Sequence, residues 1–489
     1  MIATQISDSL THAEMLTHMY ASDATYNGRF LTGVLSTGIY CLPSCTARKP
    51  NAENVRFFAT EAAAQTAGLR ACRRCRPDYF YQHYDPDLAT LTALVVNVRH
   101  VPSTFASTDA MVSESGIGLT KLHALFRQHY HSTPAAFLCR TRIAAACRLL
   151  EDPDKQVIEV AYAVGFESLS AFHDNFRKAT GLSPKDYQQL GKSSDFTVTL
   201  PENYVSWVTL KLLGRDPESR TEQVKGQSAV KALRIGAASV LLHMEFQPRS
   251  VDCHIEGTQP ITPEIMRGIH AAVIRLLGLT NSPTGFERRM GSDPNLSRLL
   301  IGRHGLRIPL MPDIFEAMTW AIVGQQVNLP FAYKLRRTVV QLCGEPIGDS
   351  GFIAHPTPTA VAQLDYTDLT SRQFSRHKAE YLIDTARLIS SGDLSLANLA
   401  EAPASQVEQQ LLAIRGLGPW SAHYIMLRAL GFADCVPLGD AGLVNALRKF
   451  YDLDHRPDST ETAALMELFA PYRSLATYHL WLTLGENPG

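Results

Sequence analysis

The sequence predicts a multidomain, mainly α chain. It reads as a small α+β domain at 10–82, an all-α domain of two helix-turn-helix units at 86–190, a second α+β domain at 195–288 and an all-α domain at 291–489. Three observations predict this order. Four of the nine cysteines fall between positions 41 and 75. A pattern around 119–137 returns fifty residues later. Two glycines one residue apart, Gly416 and Gly418, separate two helical apolar patterns. The length of 489 residues alone suggests about three domains at roughly 150 residues each, and the motifs raise that to four.

Composition bounds the function. With 45% hydrophobic and 19% charged residues the chain has ample core for several domains. No apolar run reaches the roughly 18 residues of a membrane span. The start, MIATQISDSLTHAEM, lacks the basic and apolar regions of a secretory leader, so a cytoplasmic, thiol-reducing location is expected. Lys+Arg number 46 against 47 Asp+Glu, a net charge of −1. That balance excludes a globally basic nucleic-acid binder but not a locally basic one.

In the first domain, Cys41-x3-Cys45 and Cys72-x2-Cys75 are pairs 26 residues apart, a spacing that suits tetrahedral Zn(II) held by four thiolates. The other five cysteines read as core residues. Residues 41–76 carry seven basic side chains against two acidic ones, a net of +5. Arg73 and Arg74 sit between two ligands. They suit either neutralisation of a dianionic zinc centre or a surface for phosphates. The segments Ser36–Arg48, Glu53–Phe58 and Gly68–Asp78 resemble the Ada-type methyl-phosphotriester sensor. That resemblance implies that Cys41 is both zinc ligand and methyl acceptor, and that Arg48 contacts phosphate.

In the second domain, Phe126-Arg127 recurs as Phe176-Arg177, Thr133-Pro134 as Ser183-Pro184 and Phe137 as Tyr187. Leu119, Leu122 and Leu125 precede the first copy at helical spacing; Leu169, Phe172 and Phe176 mark the second. Gly165 breaks Val157–Val164 from Glu167–Lys178, as the turn of a helix-turn-helix does. Over about residues 88–190, with Val157 to Pro184 as the specific match, the chain resembles the AraC-type double helix-turn-helix. Its second helices then supply candidate DNA-facing residues: Thr120, Lys121 and His123 in one unit, Ser168, Ser170 and His173 in the other. Asp174 and Asn175 stand where that family carries an Arg, and an acid there weakens phosphate contact.

Leu190–Asp195 reads as a linker. Beyond it, 196–200 and 240–246 read as strands, 262–279 as a helix and Asp216–Ser228 as a loop, with no candidate site. The likeness of this part to the N-terminal domain of AlkA-type glycosylases is loose.

In the last domain, Gly416 and Gly418 permit a tight turn that presents backbone N–H groups to a DNA phosphate. Together with Gly305–Pro309, Trp320–Val327, Trp420–Tyr424, Pro437–Leu443 and Tyr472–Trp481, the hairpin resembles the AlkA branch of the helix-hairpin-helix DNA glycosylases. The resemblance places Asp440 as the catalytic carboxylate, with Asp434 the competing carboxylate and read as surface. It places Trp420, Tyr424 and Trp481 in the base pocket, and Gln325 and Gln326 in the loop that fills the gap left by a flipped base, where this branch commonly has Leu. Bifunctional relatives carry a catalytic Lys where Trp420 stands, so a monofunctional 3-methyladenine glycosylase II is implied. Cys343 and Cys435 are too few for the iron–sulfur cluster of other relatives. No Pro-Cys-His-Arg motif of an alkylguanine methyltransferase occurs.

The combined expectation is a zinc-dependent sensor and transcriptional activator fused to a repair glycosylase. Its partners are damaged and promoter double-stranded DNA at the nucleoid, with RNA polymerase a candidate partner of the activator. The alternative is a glycosylase whose N-terminal half only tethers it to DNA.

Overall fold

A computed structural model describes residues 10–82 and 84–485. The first nine residues of the N-terminal segment read above, and the last four of the domain expected at 291–489, lie outside the described residues. The chain divides into two compact bodies, Met1–Ala93 and Leu94–Gly489, each described by itself.

The first body is built on a sheet of β1 (Leu31–Val34), β2 (Ile39–Cys41), β3 (Val55–Phe58) and β4 (Arg70–Ala71), in the order β3-β1-β2-β4. β1 runs antiparallel to both neighbours, whereas β2 and β4 are parallel, with Tyr40 opposite Ala71. Leu31, Tyr40, Leu42, Phe58 and Leu69 fill its core. The parallel pairing matters most. It sets the residues that follow, Cys41 and Cys72, side by side although 30 residues separate them.

The second body begins with the expected helical repeat. α1 (Leu119–Tyr130) is the second helix of the first unit, after the helix Thr108–Ser115; α2 (Pro134–Leu149) joins the units, and α3 (Val157–Ala163) and α4 (Leu169–Thr180) form the second. Phe126, Phe172 and Phe176 are fully buried, which is why their spacing repeats. Gly165 makes the turn between α3 and α4 at φ +93; a Cβ there would lie 2.9 Å from the Ser103 backbone, so position 165 requires glycine twice over.

Leu190–Asp195 is not the free spacer its composition suggests. Leu190 is buried, Gly191 packs on Pro263, and Phe172, Phe176 and Leu182 share one core with Val198, Leu242 and Ile269. The second helix-turn-helix unit and the following domain therefore have no aqueous gap between them. That domain is a sheet of β5 (Asp195–Thr199), β6 (Glu222–Lys225), β7 (Ser228–Ile235), β8 (Ala238–Phe246) and β9 (Ser250–Gly257), in the order β5-β9-β8-β7-β6 and antiparallel throughout.

The loop expected at Asp216–Ser228 is a correction. It contains β6, and Asp216, Ser219, Thr221 and Glu222 are buried. Glu222 accepts from Arg336 at 2.7 Å and from Lys231 at 3.0 Å, and Arg336 also reaches Glu316 at 2.7 Å. Burial alone would raise both carboxyls, but the two cations outweigh it: Glu222 lies well below the usual range and Glu316 is held at about 2. This ionic cluster ties the sheet to the helices Ile314–Val323 and Leu329–Cys343.

Candidate catalytic and metal sites

The four Sγ atoms of Cys41, Cys45, Cys72 and Cys75 lie within 4.8 Å of one another, the only such group of potential metal ligands among the described residues. Tetrahedral zinc with Zn–S bonds of about 2.3 Å needs sulfurs about this close. Backbone N–H groups of Leu42 and Arg74 donate to Cys75 and Cys72 at 3.3 and 3.4 Å, which favours thiolates. The donor set fits Zn(II), and zinc is the cofactor of this domain. Cys45 and Cys72 are buried, and Cys41 and Cys75 are half-buried. Arg48 and Arg73 are exposed; Arg74 folds back to donate to the Thr46 carbonyl at 3.2 Å.

On the helix-turn-helix units, Thr120, Lys121 and Ser170 are exposed, and His123 is half-buried. Ser168 is already engaged as the N-cap of α4, accepting from the Ala171 N–H at 3.3 Å. His173 is half-buried with its ring edge-on to Phe172. Asp174 is exposed, whereas Asn175 is turned inward, bonding the Ala171 carbonyl at 2.8 Å.

The hairpin joins α5 (Ala404–Leu412) to α6 (Pro419–Ile425). Gly416 adopts φ +94, and a Cβ there would meet the Tyr381 ring at 2.2 Å. Gly418 is the open N-cap of α6. Two residues expected to act alike are separated by the fold. Gln325 donates to the Gly416 carbonyl at 2.8 Å and to Ser421 at 3.1 Å, so it braces the hairpin. Gln326 is exposed, with left-handed backbone at φ +53, and is the one that projects.

Asp440 is the N-cap of α7 (Ala441–Tyr451), and its Oδ1 accepts the Leu443 N–H at 2.7 Å. Two indoles complete its setting. Trp481, on α8 (Arg473–Thr483), donates Nε1–H to Oδ1 at 2.8 Å, and Trp420 donates Nε1–H to Oδ2 at 2.9 Å. Trp420 stacks on Tyr424 with centroids 5.5 Å apart, and Tyr424 lies 6.3 Å from Trp481. The carboxylate thus sits at the rim of an aromatic wall with both oxygens oriented. Three dispersed motifs converge here.

Asp434 is not a surface carboxylate. Arg473 clasps both its oxygens, at 2.8 and 2.7 Å, so it holds structure and has no free oxygen for chemistry.

Residues 14–78 match the metal binding domain of Ada, 111–190 a helix-turn-helix domain and 319–471 the HhH-GPD superfamily of base excision DNA repair proteins. A protein of Mycobacterium tuberculosis (strain H37Rv), "Probable bifunctional transcriptional activator/DNA repair enzyme AlkA", is 30% identical over 490 residues, spanning 96% of this chain and 95% of that one. The chain belongs to this family of AlkA-type bifunctional activator/repair proteins. The DNA-3-methyladenine glycosylase of Bacillus subtilis is 30% identical over 295 residues, 59% of this chain and 96% of that one. The solved 3-methyladenine DNA-glycosylase of Archaeoglobus fulgidus superposes on 59% of this chain and 97% of its own, with TM-score 0.52 and 21% identity, a likeness of fold. Within the AlkA-type family frame, the indole clasp on Asp440 and the packed junction after α4 are features that motif reading did not supply.

Proposed function

We propose that this AlkA-type protein is a monofunctional glycosylase that releases alkylated purines, 3-methyladenine and 7-methylguanine among them, using Asp440. A base alkylated at N3 or N7 is cationic and leaves without an added proton. The barrier lies in the positive charge that grows on the sugar as the N-glycosidic bond breaks. The damaged nucleotide leaves the stack, with Gln326 in the vacated position, and its base stacks on Trp420, Tyr424 and Trp481, whose electron-rich faces suit a cation. The Asp440 carboxylate, beside the sugar, stabilises the oxocarbenium and orients the attacking water. With no lysine at position 420, no Schiff base forms there, and the product is an abasic site. Backbone N–H groups of the Gly416–Gly418 turn hold a phosphate, which lets a chain of net charge −1 grip DNA.

The N-terminal half is read as sensor and activator. Bound zinc would keep Cys41 a thiolate at neutral pH. The Cys41 sulfur attacks the methyl of a methyl phosphotriester; an S–C bond forms, the C–O bond breaks, and a phosphodiester anion leaves. Arg48 holds the neighbouring phosphate. Methylation takes the four-thiolate site from about −2 to about −1, which weakens its repulsion of DNA. The helix-turn-helix units, through Lys121, His123, Ser170 and His173, then bind a promoter, with RNA polymerase as the partner activation requires.

The observation that supports the enzyme reading is the Asp440 carboxylate clasped between two indole N–H groups. The test is base release from methylated duplex DNA by wild type and Asp440→Asn; equal release by both sinks the mechanism. The tethering alternative draws on exposed Asp174. Promoter affinity before and after methylation of Cys41 decides it: a rise supports the switch, and no change supports tethering.

A further inference from the structure

The loop that delivers Asp440 is held from an unexpected side. It runs from Gly431 to Gly439, between the one-turn π-helix Met426–Leu430 and α7. Most of its anchors come from the glycosylase half. Asn281 donates to the Gly431 carbonyl at 2.7 Å, and Ser474 donates to the Phe432 carbonyl at 2.6 Å while accepting the Cys435 N–H at 2.9 Å. His423 accepts the Val436 N–H at 3.0 Å.

One anchor comes from the helix-turn-helix half. His131 caps the C-terminus of α1 in left-handed conformation, φ +46. Its Nδ1 accepts the Asp434 N–H at 3.0 Å, and its ring stands edge-on to Phe432 at 5.1 Å. A backbone N–H only donates, so Nδ1 is unprotonated and the neutral ring is the one that fits. The contact is part of a docked surface: α1 lies against α5, where His129 Nδ1 is 2.9 Å from Ser405 Oγ, and Arg99 lies 3.5 Å from Glu401. Asp434, Arg473, His423 and Glu408 are the charged or titratable groups that face His131, and burial holds it neutral, near pKa 4.

We propose that His131 is a positioning residue of the glycosylase, supplied by the DNA-binding half. By accepting the Asp434 amide it fixes the loop six residues ahead of Asp440 and so sets the carboxylate against the sugar. The inference rests on the reading of Asp440 as the catalytic carboxylate. It makes the helix-turn-helix half a component of the active enzyme and not only a neighbour on the same chain.

The experiment uses the full chain in four forms: wild type, His131→Phe, His131→Asn and Asp440→Asn. His131→Phe keeps a ring but leaves the Asp434 amide unpaired. His131→Asn tolerates left-handed backbone and returns an acceptor oxygen. The readouts are the single-turnover rate of 7-methylguanine release and the affinity for duplex DNA carrying an abasic-site analogue. We expect His131→Phe to slow release about tenfold or more, as small misplacements of reacting groups do. Affinity should stay unchanged, and His131→Asn should recover most of the rate. A wild-type rate in His131→Phe, with Asp440→Asn inactive, overturns the inference alone. Equal loss in the Phe and Asn variants also overturns it, since packing would then be the cause. An active Asp440→Asn overturns the underlying reading instead. Should His131→Phe fail to fold, His131→Gly, which suits left-handed backbone, carries the same expectation and the same refutation.

Discussion

Replacing Trp481 by Phe removes one hydrogen bond and leaves an aromatic face in the wall. The bond runs from the indole N–H to Asp440 Oδ1 at 2.8 Å, and Oδ2 keeps its partner, Trp420, at 2.9 Å. A hydrogen bond to a charged group contributes about 1.5–3 kcal/mol. If that orientation is realised in the transition state, each 1.36 kcal/mol is a factor of ten in rate, so release should slow about 10- to 150-fold. The assay is single-turnover excision of 7-methylguanine from a duplex oligonucleotide with enzyme in excess, so that product release does not mask the chemical step. The mechanism makes a second demand. In an Asp440→Asn background the indole has no carboxylate to orient, so Trp481→Phe should cost little more, a strong non-additivity. A wild-type rate in the single variant, or fully additive losses in the double variant, would refute the assignment of Trp481 as the group that orients Asp440.

Other consequences follow from the same geometry. Arg336→Met leaves the buried carboxylates Glu222 and Glu316 to share the Lys231 ammonium, one positive charge for two negative ones, which should lower unfolding stability by about 3–5 kcal/mol, read by denaturant titration. His270 and His355 are pushed down to about 4 and His479 to about 3, all first by burial. Folding therefore favours the neutral rings: stability is full above about pH 6.5, the unfolded value, and falls as pH drops from there toward 4, which unfolding titrations across that window should register. Chelation of zinc should abolish cooperative unfolding of the 10–82 domain but leave base excision by the separately compact second body intact, as calorimetry beside the glycosylase assay would report.

What the sequence disclosed depended on distance along the chain and on chemical singularity. Cys41, Cys45, Cys72 and Cys75 are recognisable because thiols so spaced have few other uses, although only the parallel pairing of β2 with β4 explains how the two pairs meet. Asp440 and its aromatics were legible through local motifs, but not the two indole hydrogen bonds, since Trp481 stands 41 residues from Asp440. The polar composition of Asp216–Ser228 concealed a buried Glu222, because its partner Arg336 is 114 residues away. Asp434 looked like surface for the same reason: its partner Arg473 lies 39 residues downstream. Leu190–Asp195 has linker composition, yet Leu190 is buried, so the packing of a neighbour and not the local propensity decided its state. His131 meets Asp434 across 303 residues, and no local pattern encodes such a contact.

The central claim is that one carboxylate, oriented by two indoles, carries the glycosylase reaction. It is tested most directly by measuring release of 3-methyladenine and 7-methylguanine from methylated duplex DNA by the full chain and by Asp440→Asn, alongside their binding to an abasic-site duplex. The account predicts that Asp440→Asn binds that duplex as wild type does and releases base far more slowly. Release at the wild-type rate by the bound variant would contradict it.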